Sequence, residues 1–371
     1  MANPLQSLAS MGQSVWYDNI SREVLNDGTL GRLIRDGEVQ GVTSNPAIFQ
    51  KAISGSDAYD DEIRALRKAG KDWSAVYEGL AVDDIRRGAD LLRPVYDRTG
   101  GADGYISLEV APDLAYDTER TVADALRLHA LVDRPNLMVK IPATPAGWTA
   151  IEECTAQGLC INVTMMFALR HYDGVAEAYL RGLERRLEAG GDIRRIHSVA
   201  SVFVSRFDVL VDRLLEEKVK AGETKAGELL GQSALANAKL TYQSFLRTFS
   251  GPRWEKLAAK GANLQRPLWA STSTKNPAYR DVLYAEQLIG PHTVDTMPPQ
   301  TVDAFRDHGV VARTVDAGVV EAERTVRALA GLGIDLEDVG ERLQREGIDL
   351  FAEAFTKMLD GLREKGRSLD R

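Results

Sequence analysis

The sequence predicts an α/β protein: a (β/α)8 TIM barrel with inserted helices and a C-terminal helical extension. Three observations point there. Eight short apolar runs alternate along the 371 residues with longer helical patterns, and such alternation implies a parallel sheet with right-handed crossovers. Several runs carry polar side chains on one parity near their C-terminal ends, where barrel active sites lie. After the eighth run only charged helical sequence remains.

The first run, Val15–Asp18, ends on a carboxylate just before a helical stretch. The second, Val39–Ser44, leads into Asn45-Pro46; Gly41, Thr43 and Asn45 share a parity, and the proline keeps Asn45 extended. About sixty residues then precede the third run, leaving room for helices over Ser56–Lys68 and Ala75–Tyr96. In the third, Tyr105–Val110, the aliphatics oppose Ser107 and Glu109. A helix over Thr118–Val132 leads to Leu137–Ile141, and one over Pro145–Ala156 to Leu159–Thr164, where Ile161 and Val163 oppose Asn162 and Thr164. Helix Leu169–Glu188 precedes Ile196–Val202, which runs on to Arg206. Helices over Phe207–Lys220 and Gly227–Phe249 lead to Pro267–Ser271, followed by Lys275, and His292–Asp295 closes the series. From residue 317 onward Phe351, Phe355, Leu359 and Leu362 fall on one helical stripe. Residues 1–371 therefore read as a single barrel domain, with 317–371 packed against it as an extension.

The fourth run carries the chemistry. In Asn136-Leu-Met-Val-Lys-Ile-Pro142, Leu137, Val139 and Ile141 face one way and Lys140 the other. In a parallel sheet covered on both faces that lysine lies inside protein. A buried lysine without a charge partner loses its proton readily and becomes a nucleophile that forms Schiff bases with carbonyl compounds. Taken alone, Lys140 reads first as a snorkelling lysine at the sheet rim, and Thr43 or Thr164 as a satisfied core hydroxyl. Their convergence with Asp18 and Glu109 at one end of one barrel is what points to a site, because burying such charges without partners costs several kcal/mol each.

Composition narrows the classes. Hydrophobic residues make up 44% and charged residues 27%, ordinary values for a globular chain. A net charge of −8 argues against general affinity for nucleic acid or an anionic membrane. The two cysteines, Cys154 and Cys160, form no CxxC and read as reduced buried thiols. No signal-peptide pattern and no long apolar span are seen, so a cytoplasmic location is expected. Five histidines without an HxH or HExxH spacing speak against a metal centre, and no phosphate-loop, dinucleotide or serine-hydrolase signature occurs.

Thr43-Ser-Asn-Pro46, Ser107-Leu-Glu109, Val139-Lys-Ile-Pro142, Asn162-Val-Thr164, Ser201-Val-Phe-Val-Ser-Arg206 and Trp269-Ala-Ser-Thr272 follow one another in this order. Each is short, but together they make the chain resemble the transaldolase family, in its longer bacterial form, over roughly residues 12–310. The resemblance implies transfer of a dihydroxyacetone unit from a ketose phosphate (sedoheptulose 7-phosphate or fructose 6-phosphate) to an aldose phosphate, with no cofactor and no metal. Lys140 would form the Schiff base and Asp18 would deprotonate the C4 hydroxyl. Glu109 and Thr164 would hold a proton-shuttling water. Asn45 and Asn162 would bind the three-carbon unit beside Thr43 and Ser201, and Arg206 would take the phosphate. Phe203 and Ser271, inside two of the motifs, join the substrate-binding set. The partners implied are sugar phosphates, with no nucleic acid and no membrane; pairing as a homodimer stays open.

The chain departs from the better-known branch of that family at three places. Val202 replaces a proline and Ser205 a glycine. Thr272-Ser-Thr-Lys275 stands where that branch reads Phe-Arg, which makes Lys275 the candidate second phosphate cation. Arg253 and Arg280 have no place in this scheme. An alternative within the same chemistry is a fructose-6-phosphate aldolase, which releases free dihydroxyacetone; that related family is shorter and commonly has a tyrosine beside the lysine.

Overall fold

The computed structural model describes residues 3–369. Eight parallel strands close into a barrel in sequence order: β1 (Gln13–Tyr17), β2 (Gly41–Val42), β3 (Ile106–Glu109), β4 (Leu137–Pro142), β5 (Ile161–Met166), β6 (Ser198–Phe203), β7 (Gln265–Ala270) and β8 (Thr293–Met297). The expected (β/α)8 architecture is therefore present, and the strand boundaries move for identifiable reasons. The second strand shrinks to two residues because Asn45 leaves the sheet to begin the helix Pro46–Gly55. Gly41 is needed there: a Cβ would lie 2.5 Å from the Trp16 indole. The fifth strand starts late, since the Leu159 N–H still caps the preceding helix through the Cys154 carbonyl. It then runs on past an irregularity at Met165, a non-glycine residue at φ 56°. Asp18 falls just beyond β1, but its N–H still donates to the Met297 carbonyl at 2.9 Å, so the ladder holds it in place.

The inserted helices between β2 and β3 are Pro46–Gly55, Asp60–Lys68 and Trp73–Arg98. The helix expected over Gly227–Phe249 divides. Residues Thr224–Leu229 form a 3-10 turn, Gly231 turns at φ 70°, and the α-helix proper is Ser233–Thr248. Cys154 and Cys160 are buried and unbridged. Among the described residues no helix is long and apolar enough to cross a membrane.

The C-terminal helix, Leu336–Leu369, has 34 residues and so spans about 50 Å. It crosses the C-terminal mouth of the barrel and continues over the inserted helices. Close approach is possible because glycines face the contacts: a Cβ on Gly340 would meet Ala168 at 2.6 Å, and one on Gly366 would meet the Trp73 ring at 2.1 Å. Gln344 Nε2 donates to the carbonyls of Ala143 (3.0 Å) and Met165 (2.9 Å), tying the helix to the strand ends. Further along, Lys365 pairs with Asp60 at 2.9 Å and donates to the Ile53 carbonyl at 3.1 Å. Of the expected stripe, Phe351 and Leu362 are buried and Phe355 and Leu359 half-buried, and Met358 is buried with them.

Candidate active site

Strand register brings the first functional groups together. Lys140 on β4 is paired with Glu109 on β3 and with Asn162 on β5. Lys140 and Asn162 point into the barrel because the opposite parity packs its aliphatics against the helices, and Glu109, the last residue of β3, reaches Lys140 from the rim. Lys140 is buried; its Nζ donates to the Ser44 carbonyl at 3.1 Å and lies 3.7 Å from Glu109 Oε2. The expected lysine without a charge partner is thus not what the fold provides, since Glu109 is that partner. Burial raises the Glu109 carboxyl above the usual range, the Lys140 charge opposes this, and Asp18 adds to it. Among the described residues, neither Glu109 Oε2 nor the buried Thr164 hydroxyl has a hydrogen-bond partner.

Across the barrel, Asp18 accepts a hydrogen bond from Thr43 Oγ1 at 2.5 Å, and Thr43 in turn meets Thr296 Oγ1 at 2.6 Å. Burial again raises the carboxyl, with Thr43, Lys140 and Lys275 pulling the other way. A carboxylate whose pKa is moved toward neutrality is better matched to moving protons near pH 7. Asn162 is fixed from both sides: its Nδ2 donates to Ser107 Oγ at 2.9 Å and its Oδ1 accepts from Ser201 Oγ at 2.7 Å.

The other side of the mouth is cationic. Arg206, in the first turn of the helix Ser205–Lys220, has its guanidinium pushed below the usual arginine range by burial, with no carboxylate offsetting it. It lies over the rings of Phe203 and Phe351, 5.4 and 5.9 Å from their centroids. Lys275 Nζ donates to Ser273 Oγ at 2.7 Å; burial lowers its pKa, and repulsion from Arg206 lowers it further. Ser271, at φ 59°, meets Ser205 Oγ at 2.9 Å. Two cations close enough to repel each other are a natural receptacle for a dianion.

These groups surround a cavity of about 220 Å³. Of the twelve residues expected from sequence, ten line it: Asp18, Thr43, Asn45, Lys140, Thr164, Ser201, Phe203, Arg206, Ser271 and Lys275. Asn162 lies beneath as a support for Ser201, and Glu109 faces a different space. Asn45 also has a structural duty, since its Oδ1 caps the helix Pro46–Gly55 through the Ile48 N–H at 3.0 Å. Sequence reasoning missed Ser273, Thr296, Gln300 and Phe351 on the cavity wall and the Ser44 carbonyl on Lys140. For Thr296 the inward parity of the eighth strand was an available signal. Arg253 and Arg280 are accounted for elsewhere, in surface pairs with Glu177, Glu184 and Glu286.

Residues 15–362 match the family described as transaldolase/fructose-6-phosphate aldolase. The chain belongs to that family. It is 49% identical over 366 residues to a protein of Parafrankia sp. (strain EAN1pec) named transaldolase, covering 98% of each chain. A transaldolase of Acidothermus cellulolyticus is 48% identical over 375 residues, covering 100% of this chain and 98% of its own. One from Trichodesmium erythraeum is 44% identical over 376 residues, with 100% and 99% covered. The similarity runs through the C-terminal helix as well as the barrel, so the extension is shared with these relatives.

Proposed function

We propose that this chain is a transaldolase that moves a dihydroxyacetone unit between sugar phosphates through an imine on Lys140. The observation that carries the reading is the placement of one buried lysine among two carboxylates held above their ordinary pKa, beside a pair of mutually repelling cations, Arg206 and Lys275. Arg206 and Lys275 bind the phosphate of sedoheptulose 7-phosphate or fructose 6-phosphate, placing C2 near Lys140. The Ser44 carbonyl holds the amine in position for attack. Glu109, the neighbour of Lys140, takes the proton that the amine sheds and returns it to the departing oxygen, with Thr164 holding the water between them. Asp18 removes the C4 hydroxyl proton, the C3–C4 bond breaks, and the electron pair is delocalised into the protonated imine as an enamine. Asn45, Asn162 and Ser201 keep the three-carbon fragment in place until the aldose phosphate acceptor arrives and Asp18 gives back its proton. Residues 317–371 act as part of the same unit, supplying Phe351 to the mouth.

Borohydride reduction in the presence of fructose 6-phosphate, followed by peptide mass spectrometry, tests this. A reduced three-carbon or hexose adduct on Lys140 is expected, and an unmodified Lys140 under turnover conditions sinks the reading. Release of free dihydroxyacetone without acceptor, at a rate matching transfer, would instead assign the aldolase reaction of the same family.

A further inference from the structure

A second cavity, of about 430 Å³, lies behind the barrel wall between β3 and the helices Trp73–Arg98 and Thr118–Val132. It is larger than the substrate cavity, largely apolar, and opens to the surface between exposed Ser74 and Ala123. The aromatic trio Phe49, Tyr77 and Phe355 forms one wall, ring edges meeting at centroid distances of 5.9 and 5.4 Å. Its inner end is Glu109. That residue lines this cavity and not the one around Lys140, while Asn45 borders both, so Glu109 and Asn45 together stand between the two. Tyr77, on the same wall, feels the Glu109 charge.

Imine formation joins Lys140 Nζ to C2, breaks the C2–O bond, takes up one proton and expels one water. Hydrolysis at the end of the cycle consumes one water and gives the proton back. The substrate cavity, at about 220 Å³, is below the about 300–1,000 Å³ usual for small-molecule sites, so a bound ketose phosphate fills it. The ketose phosphate then stands between C2 and the front opening, whereas Glu109, 3.7 Å from Lys140 Nζ, borders the rear cavity. We propose that the cavity behind Glu109 is a separate water passage, through which the water of imine formation leaves and the water of hydrolysis enters. The inference rests on the Schiff-base reading above. Apolar walls suit the task, because they hold water weakly between the polar rim and the carboxyl at the inner end.

The test follows oxygen at C2. Fructose 6-phosphate in H2(18)O gains label at C2 each time the imine forms and hydrolyses. Ala123→Trp and Ser74→Trp place a large ring over the mouth of the passage at exposed positions. Incorporation is expected to slow at least about tenfold in each, while the borohydride-trapped adduct on Lys140 stays at or above the wild-type level; Ala123→Ser should exchange normally. Wild-type exchange in both tryptophan variants and in their combination overturns the passage. So does a parallel loss of adduct and exchange, which marks general damage to the site. A wild-type protein with no adduct at Lys140 fails the covalent reading itself, a result distinct from either.

Discussion

Two buried carboxylates flank β3, Asp103 three residues before the strand and Glu109 as its last residue, and the fold treats them in opposite ways. At the N-terminal end Asp103 accepts from the Trp16 indole at 2.8 Å, from Ser14 Oγ, and from the Gly104 N–H at 3.2 Å, with Arg266 3.5 Å away. At the C-terminal end the equally buried Glu109 side chain has one lysine 3.7 Å from Oε2, and among the described residues that oxygen has no hydrogen-bond partner. Asp103 closes the bottom of the barrel; its oxygens are spoken for. Glu109 keeps hydrogen-bonding capacity that the protein itself leaves unused, which costs stability and leaves a group able to exchange protons. One strand thus shows the barrel's division between a face that holds it together and a face that does chemistry.

Substitutions at each end should give inverse signatures. The largest effect is expected for Lys140→Met, which should cut transfer by about 10⁴-fold or more while the melting temperature stays within a few degrees of wild type; a coupled transfer assay with calorimetry reads both. Asp103→Ala should do the reverse. Removing one member of a buried, charge-bonded cluster costs about 3–5 kcal/mol, so denaturant midpoints fall, while the fraction still folded transfers at close to the wild-type rate. If Asp103→Ala lost activity without losing stability, the contrast between the two ends would break.

Glu109→Gln should slow imine formation by about 10² to 10³-fold, measured as single-turnover adduct formation. Its stability effect has a definite sign. Burial holds the Glu109 carboxyl above its usual range, so the protonated form favours the fold. That contribution is present below the ordinary carboxylate pKa and is lost as pH rises through the raised one. The amide keeps it, and the variant should melt higher than wild type at pH 8 but not at pH 4.

Asp295 lies between the two extremes. One oxygen accepts from Thr272 Oγ1 at 2.9 Å, the other has no partner among the described residues, and burial raises its pKa to about 7. The fold is therefore favoured by protonation here, fully so below about pH 4 and no longer once pH passes about 7. Asp295→Asn should gain on wild type by about 1.4 kcal/mol per pH unit across that window and level off above it. A stability difference independent of pH would remove Asp295 from the comparison.

Much of the mouth was legible because strand parity is a local property. Lys140, Asn162 and Thr164 face inward for the reason their neighbours face outward, and the paired register that sets Glu109 beside Lys140 follows from closing the barrel. Parity did not reveal which cavity an inward group would meet, and so gave no sign that Glu109 turns toward a second one. Nor could it place Phe351, which reaches Arg206 from about 145 residues away along the chain. The Asp103 cluster was equally hidden, since it joins residues from β1, the β3 approach and β7. Local boundaries failed where one residue decides the backbone, as at Met165 and Gly231.

The long C-terminal helix has a consequence for how such chains can be recombined. Lys365 holds the Ile53 carbonyl and Asp60, Gly366 makes room for Trp73, and Phe355 meets Tyr77. All of those counterparts sit in the insertion between β2 and β3. Insertion and extension, nearly three hundred residues apart in sequence, are therefore one inheritable module. A chimera that borrows the tail of a relative has to borrow residues 46–98 with it, or it joins a hook to the wrong eye.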